Sequence, residues 1–376
     1  VKICVLIFFL PIVLSCNPKG NVDKVYLDKI GVFELNLDKE STGRNPNSEV
    51  VIFNQKEAFS FLNANNNSIY FYDLESGELL GKMTFPINGE NGVGDLDAYH
   101  YLSQDSVFVY SYSSATVSLV DGEGLVRQKF STEHPGLDVR PFVGDFRRVF
   151  HVGNILVFNS WGSQREYYLS EVLKPNSFLF INFGDSSSYV DISYPDTYKG
   201  AVWGVQLFQV YHDYNSKLGK LVINYPVDNH LYLYDFVSGE VEKQEVSGAE
   251  RIMVNPITRT QKKVSIDANE ELKFQRSQDL YAGIKYFPKL DLYFRFVELK
   301  SSDSDLNSGD VFKLSFGSKV VQVIDSEFRL LGEVPLGEKY FIKSLFFKDD
   351  KIYFEKIQIE DEDLLVFDIF DLKFLP

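Results

Sequence analysis

The side chains able to do chemistry are thinly spread along this chain. Five histidines, His100, His134, His151, His212 and His230, stand far apart, and no two share the HxH or HxxxH spacing that puts two imidazoles on one metal. Only a fold that gathers distant strands could bring them together, and the sequence predicts neither a metal nor another cofactor. There is no G-x-S-x-G elbow and no phosphate-binding P-loop, which removes the usual signs of a serine hydrolase or a nucleotide enzyme. The stretch DSDLNSGD (303–310) alternates Asp303, Asp305 and Asn307 as a calcium loop does. Gly309 falls one position late, however, and Leu314 stands where a bidentate carboxylate is needed, so an acidic, solvated loop is expected. EDED (360–363) reads as a connection kept soluble by its charge.

Three other places carry candidates for binding. Arg140, Arg147, Arg148 and Arg165 lie close in sequence with Trp161. Guanidinium forks grip carboxylates and aromatic faces stack on sugar rings or peptide groups, so this segment is a candidate binding surface. The plainer reading pairs these arginines with Asp145 and Glu166 and packs Trp161 internally. VYHDYN (210–215) places Tyr211, His212 and Asp213 together, at an expected strand end or loop. Arg295, within LYFRF (292–296), is a charge in an apolar strand and needs a partner there; facing a central channel would satisfy that need.

The amino-terminal stretch supplies a further chemical residue. Lys2 precedes an apolar run over residues 3–14, too short to span a bilayer, which ends in VLSC (13–16). That ending resembles a lipobox, in which the thiol of Cys16 takes a lipid before the chain is cleaved ahead of it. The expected organisation is a signal peptide over 1–15, a polar tether over 16–23 and a single domain over 24–376. Membrane attachment through Cys16 follows, at the outer membrane, with the leaflet left open. Cys4 lies within the removed segment, so the remaining chain holds no pair of thiols for a disulfide or a zinc site. The formal charge of −15 disfavours nucleic acid as a partner, since a surface of that sign repels phosphate. A protein, peptide or glycan is the expected ligand.

The elements that must position these residues are strands. Phe and Tyr are abundant, 33 and 22 residues, and short Val, Ile, Phe and Tyr runs closed by Gly, Asp, Asn or Ser recur along the chain, while no long amphipathic helix is evident. The phrase IYFYDLESGE (69–78) returns as LYLYDFVSGE (231–240), and looser copies bring the markers to six: Asp73, Asp121, Asn182, Asp235, Asp325 and Asp368. Their separations of 48, 61, 53, 90 and 43 residues, by subtraction, suit the four-stranded blade of a propeller, the long gap being an insertion over 249–278. The repeats read as 49–86, 95–132, 142–195, 203–248, 279–336 and 340–376. The last lacks an outer strand, and KVYLDKIGVFELNLD (24–38) is a strand with no partner, so it is expected to complete that blade and close the ring.

Six such repeats behind a lipobox resemble the TolB-like six-bladed propeller lipoproteins of Bacteroidota. YAGIKYFPKLDLYFRF (281–296) resembles a Tyr-rich segment of an uncharacterised lipoprotein family in that group. The resemblance implies a fold and an envelope location and transfers no catalytic residues. The expected fold is all-β, a six-bladed propeller of four-stranded antiparallel blades closed by an amino-terminal strand. The expected role is a binding or scaffold module. The alternative is an envelope lyase or hydrolase with its site at the channel mouth.

Overall fold

The computed structural model describes residues 25–41, 47–133, 140–144, 146–161, 176–249, 252–257, 268–308, 317–357 and 361–375. The first strand is β1 (Val25–Asn36). Blade one follows as β2 (Ser48–Phe53), β3 (Lys56–Asn63), β4 (Ser68–Asp73) and β5 (Leu79–Thr84). Blade two is β6 (Ala98–Ser103), β7 (Ser106–Ser111), β8 (Thr116–Val120) and β9 (Val126–Ser131). Blade three has β10 (Arg140–Phe142), β11 (Phe150–Val152), β12 (Ile155–Trp161), β13 (Asn176–Asn182) and β14 (Ser188–Ser193). Blade four is β15 (Tyr211–Asn215), β16 (Lys220–Asn224), β17 (Leu231–Asp235) and β18 (Val241–Gln244). Blade five is β19 (Leu280–Phe287), β20 (Leu292–Glu298), β21 (Lys319–Asp325) and β22 (Leu330–Gly337). Blade six is β23 (Tyr340–Lys348), β24 (Lys351–Lys356) and β25 (Leu364–Phe374), with β1 as its outer strand.

The result is the expected all-β propeller. Each blade is an antiparallel meander, and contacts between blades run through first strands such as β2 with β6, β15 with β19 and β2 with β23, which therefore surround the axis. Middle strands are covered by blades on both faces, and every residue of β4 is buried; outer strands such as β5 alternate toward solvent. That is why the sequence shows apolar runs in the third strand of a repeat and alternation in the fourth. Aromatic rings seal the seams: Phe59 of blade one meets Phe346 and Phe367 of blade six at 5.1 and 5.3 Å. Among the described residues three short α-helices interrupt the strands, α1 (Gly204–Leu207), α2 (Ala268–Arg276) and α3 (Asp303–Ser308). The segment 303–308, expected as a loop, is thus a helix of six residues.

The marker side chains do hold turns. Asp73 Oδ1 accepts from the Glu75 amide at 2.8 Å, and Asp235 Oδ1 from the Val237 amide at 2.8 Å. Asp121, Asn182 and Asp325 do the same two residues ahead. Asp368 is the exception. It lies within β25, bound to Lys29 of β1 at 2.7 Å and to the Tyr340 hydroxyl at 2.9 Å, because the third strand of blade six runs on to pair with β1 and makes no turn.

The two copies of the repeated phrase differ in what surrounds them. Gly77 and Gly239 both adopt positive φ, +76° and +72°, but a Cβ on Gly239 would meet nothing within 4 Å, whereas one on Gly77 would lie 2.1 Å from the Glu34 carbonyl oxygen of β1. The closing strand is laid against blade one at this glycine, and the Asn36 amide donates to the Gly77 carbonyl at 3.2 Å. Gly239→Ala should therefore cost about 1–2 kcal/mol, the penalty for a left-handed alanine, and Gly77→Ala a further ~1–3 kcal/mol for the collision. Urea denaturation of the two variants checks the order, and equal losses would contradict the packing of β1 on this turn.

Candidate functional site

The axis is where the strands bring distant side chains together, and blade three determines its shape. Both β10 and β11 pair with β12, Phe142 lying opposite Asn159 and Phe150 opposite Val157. Residues 143, 144 and 146–149 therefore leave the sheet opposite Phe158 alone and enter the channel as a plug. Phe146, 3% exposed, stacks on Phe296 of blade five at 5.0 Å and meets the edge of Tyr211 of blade four at 6.4 Å. It lies so close to β19 that a Cβ on Gly283 would fall 2.3 Å from its ring, which is why a glycine stands there, next to the register shift at Ala282. The plug docks on β15 by two bonds: the His212 amide donates to the Phe146 carbonyl at 3.2 Å, and His212 Nε2 to the Arg148 carbonyl at 3.0 Å.

Phe146 lines cavities on both of its sides, of about 250 and 260 Å³. The first, which we call the histidine chamber, is lined by Glu49, His100, Arg148, His212, Asp213 and Lys285, contributed by blades one to five. Glu49 accepts from the Tyr101 amide at 3.0 Å and contacts His100 Nδ1 at 2.9 Å, and His100 Nε2 lies 2.8 Å from His151 Nδ1. The carboxylate fixes the proton of His100 on Nδ1, so in the neutral pair His151 donates onward to His100. Burial, and then His100, push the His151 pKa down. Asp213 accepts from the Tyr214 and Tyr286 amides at 3.0 and 2.7 Å. Lys285 is pushed down to about 8, first by burial and then by the Arg148 charge. The second chamber lies beneath α2, where Glu298 contacts Arg276 at 2.5 Å and Lys319 at 3.8 Å, all three nearly enclosed.

The profile of the family described as "Domain of unknown function (DUF4221)" matches residues 26–335, from β1 into β22. This chain belongs to the DUF4221 family. Among solved structures, a DUF4221 member from Bacteroides vulgatus superposes with a TM-score of 0.75 at 18% identity, covering 94% of this chain and all of that one. A presumed exported protein from Bacteroides fragilis superposes with a TM-score of 0.53 at 10% identity, covering 95% of this chain and 98% of that one. At these identities the likeness is one of fold. No curated protein matches the chain.

In this DUF4221 chain the residues singled out from sequence go to several separate places. Arg148, His212 and Asp213 meet in the histidine chamber, while Tyr211 faces the other cavity. VYHDYN, expected at a strand end with a loop as the alternative, contains a whole strand, β15, the innermost of blade four. Arg147 is buried within the plug, donating to the Gly144 carbonyl at 3.1 Å and Gln209 Oε1 at 2.8 Å with its guanidinium 4.1 Å from the Phe142 ring centroid; its work is to hold the plug. Arg140 stacks over Tyr112 at 5.2 Å, away from both chambers. The expectation that Arg295 faces the channel is corrected. It is fully buried at the seam of blades four and five, over the Tyr281 ring at 3.2 Å, and donates to Asn224, Asn229 and Asp228 at 2.8 Å each. Cys16, Arg165 and the Trp161 side chain lie outside the described residues. Among the described residues no three His, Cys, Asp or Glu side chains are grouped to hold a metal.

Glu49, His100, His151 and Lys285 were not singled out together from sequence. The available signal was position: each lies in a first strand of its repeat, which faces the axis. His212, 4% exposed, has its pKa pushed down to about 4 by burial. The unfolded chain thus binds the extra proton between about pH 6.5 and 4, and stability is lost as pH falls through that window, by up to roughly 3 kcal/mol from this group. His212→Gln should flatten the pH dependence of the melting temperature there, and an unchanged slope would count against a buried neutral imidazole.

Proposed function

We propose that this protein is a ligand-binding propeller of the cell envelope, tethered through a lipid on Cys16 and holding its ligand in the central channel. The observation that carries this reading is the plug: it converts an open axial hole into blind chambers walled by charged side chains from several blades, which is the concave, polar-studded form of a small-molecule site. The ligand would be a small molecule or the terminal unit of a peptide or glycan, since about 250 Å³ does not admit more. The envelope location is supported by the lipobox-like VLSC and by the fold shared with the presumed exported Bacteroides fragilis protein.

A second reading, an envelope lyase or hydrolase, is favoured by the Glu49–His100–His151 chain, which has the form of a carboxylate-oriented base. The two are separated by incubating residues 17–376 with small acids, dipeptides and oligosaccharides and measuring both thermal shift and chemical change. The binding reading expects a saturable rise in melting temperature with the compound recovered intact, and loss of that rise in Val50→Trp, which fills the histidine chamber from an exposed position. Product formation would move the assignment to the enzyme. A shift insensitive to Val50→Trp would place binding outside that chamber.

A further inference from the structure

Resting on the channel-binding reading, we infer that the histidine chamber takes the carboxylate of a small organic acid between Arg148 and Lys285. The chamber holds two cationic side chains with unmatched donors. Lys285, half-buried, has no hydrogen-bond acceptor and no ion pair among the described residues. Arg148 makes one long bond, Nη2 to the Leu345 carbonyl at 3.3 Å, and its Nε is buried without a partner. A buried donor left unmade is costly, and two cations placed side by side add repulsion to that cost, so the free chamber is destabilised in a way that an anion relieves.

The acids that share the chamber relieve it only in part, attracting both cations through space without bonding to either. Both Glu49 oxygens are engaged, by His100 and by the Tyr101 amide, and both Asp213 oxygens by the Tyr214 and Tyr286 amides. Each carboxylate is thereby tied to the first strand of the following blade, Glu49 to β6 and Asp213 to β19, and among the described residues neither forms an ion pair with Arg148 or Lys285. They also select the ligand. A dianion such as phosphate would carry a second charge against Glu49 and Asp213, whereas a carboxylate brings one charge and a planar face suited to the guanidinium fork. Phe146, Phe150 and Val51 supply an apolar wall for a short carbon body.

The site should respond to pH through Lys285, which faces Arg148 from the plug, Asp213 and His212 from β15, Glu49 from β2 and His100 from β6. Its ammonium is lost as pH rises through about 8 in the free protein, and a bound anion draws the proton back.

The test uses residues 17–376 and titration calorimetry with propionate, lactate, inorganic phosphate, the dipeptide Ala-Ala and its amide, and galacturonate beside galactose. At pH 7 carboxylates should bind, with affinity reduced at least tenfold in Lys285→Met and in Arg148→Gln. Raising the pH to 9.5 should weaken wild-type binding several-fold and leave Lys285→Met unaffected. Because Lys285 has no hydrogen-bond or ion-pair partner among the described residues, Lys285→Met should melt no lower than wild type at pH 7, which separates a binding defect from misfolding. Binding of Ala-Ala but not its amide would assign the source to a peptide terminus, and of galacturonate alone to an acidic glycan. Preference for phosphate, no carboxylate binding, or affinities indifferent to Lys285→Met would overturn the inference. If a neutral compound binds and Val50→Trp abolishes it, the channel reading stands while this inference falls. Carboxylate binding indifferent to Val50→Trp and Lys285→Met alike would defeat both.

Discussion

Six twisted sheets packed around an axis cannot bring their first strands into contact everywhere, so a propeller of this size has a hole that must be filled by water, ligand or protein. Here the filling is one aromatic ring. Phe146 reaches the gap that Gly283 leaves in β19, and the position of that ring sets the depth of both chambers. The contact is short-range and unforgiving. It depends on a residue with no side chain on one side and on a segment released from its own sheet on the other. The low proton affinities of His212 and Lys285 are downstream of it, because both groups lose solvent where the plug lies against β15 and β19.

The surface and the histidine chamber differ in charge balance. A formal charge of −15 gives the outside a field that repels anions, while the chamber sets Arg148 and Lys285 against Glu49 and Asp213 and holds a lysine with no ion pair among the described residues and a weakly bonded arginine. Neutral or mixed surroundings at the chamber wall, from Tyr101, Phe150 and Tyr214, keep the outer field from reaching the two cations undiminished. Association of an anion would be slowed by the surface and faster in salt, which distinguishes an interior site from a surface patch steered by long-range attraction.

The architecture was legible because it repeats. A turn that needs a side-chain acceptor writes Asp or Asn at its first position each time, and five markers at such turns suffice to count blades; the sixth, Asp368, misleads only in belonging to a strand that does not turn. The unpaired amino-terminal strand was legible for the complementary reason, as a strand pattern with no neighbour. The site was only partly legible. His212 and Asp213 stood out as adjacent polar residues among tyrosines, but Glu49, His100 and Lys285 are single polar residues in three separate strands, and nothing local separates a side chain facing the axis from one facing a neighbouring blade. Arg295 shows the same ambiguity in reverse, since a charge in an apolar strand is equally well explained by carbonyls of the next blade. The plug was hidden because a short departure from a strand leaves no periodic trace.

The union of β1 with β25 ties residues 25–36 to residues 364–374, the most distant partners along the chain. During synthesis from the amino terminus, β1 exists for the whole time that five blades are made and has nowhere to pair until β25 emerges. Every partly made chain therefore carries both an unattached strand and an uncovered edge, the two components of misassembly between copies. Completion of the fold waits on the last loop to close, so folding should be slow and late for a protein of such local blades. The ring itself therefore stays open until the whole chain has been made.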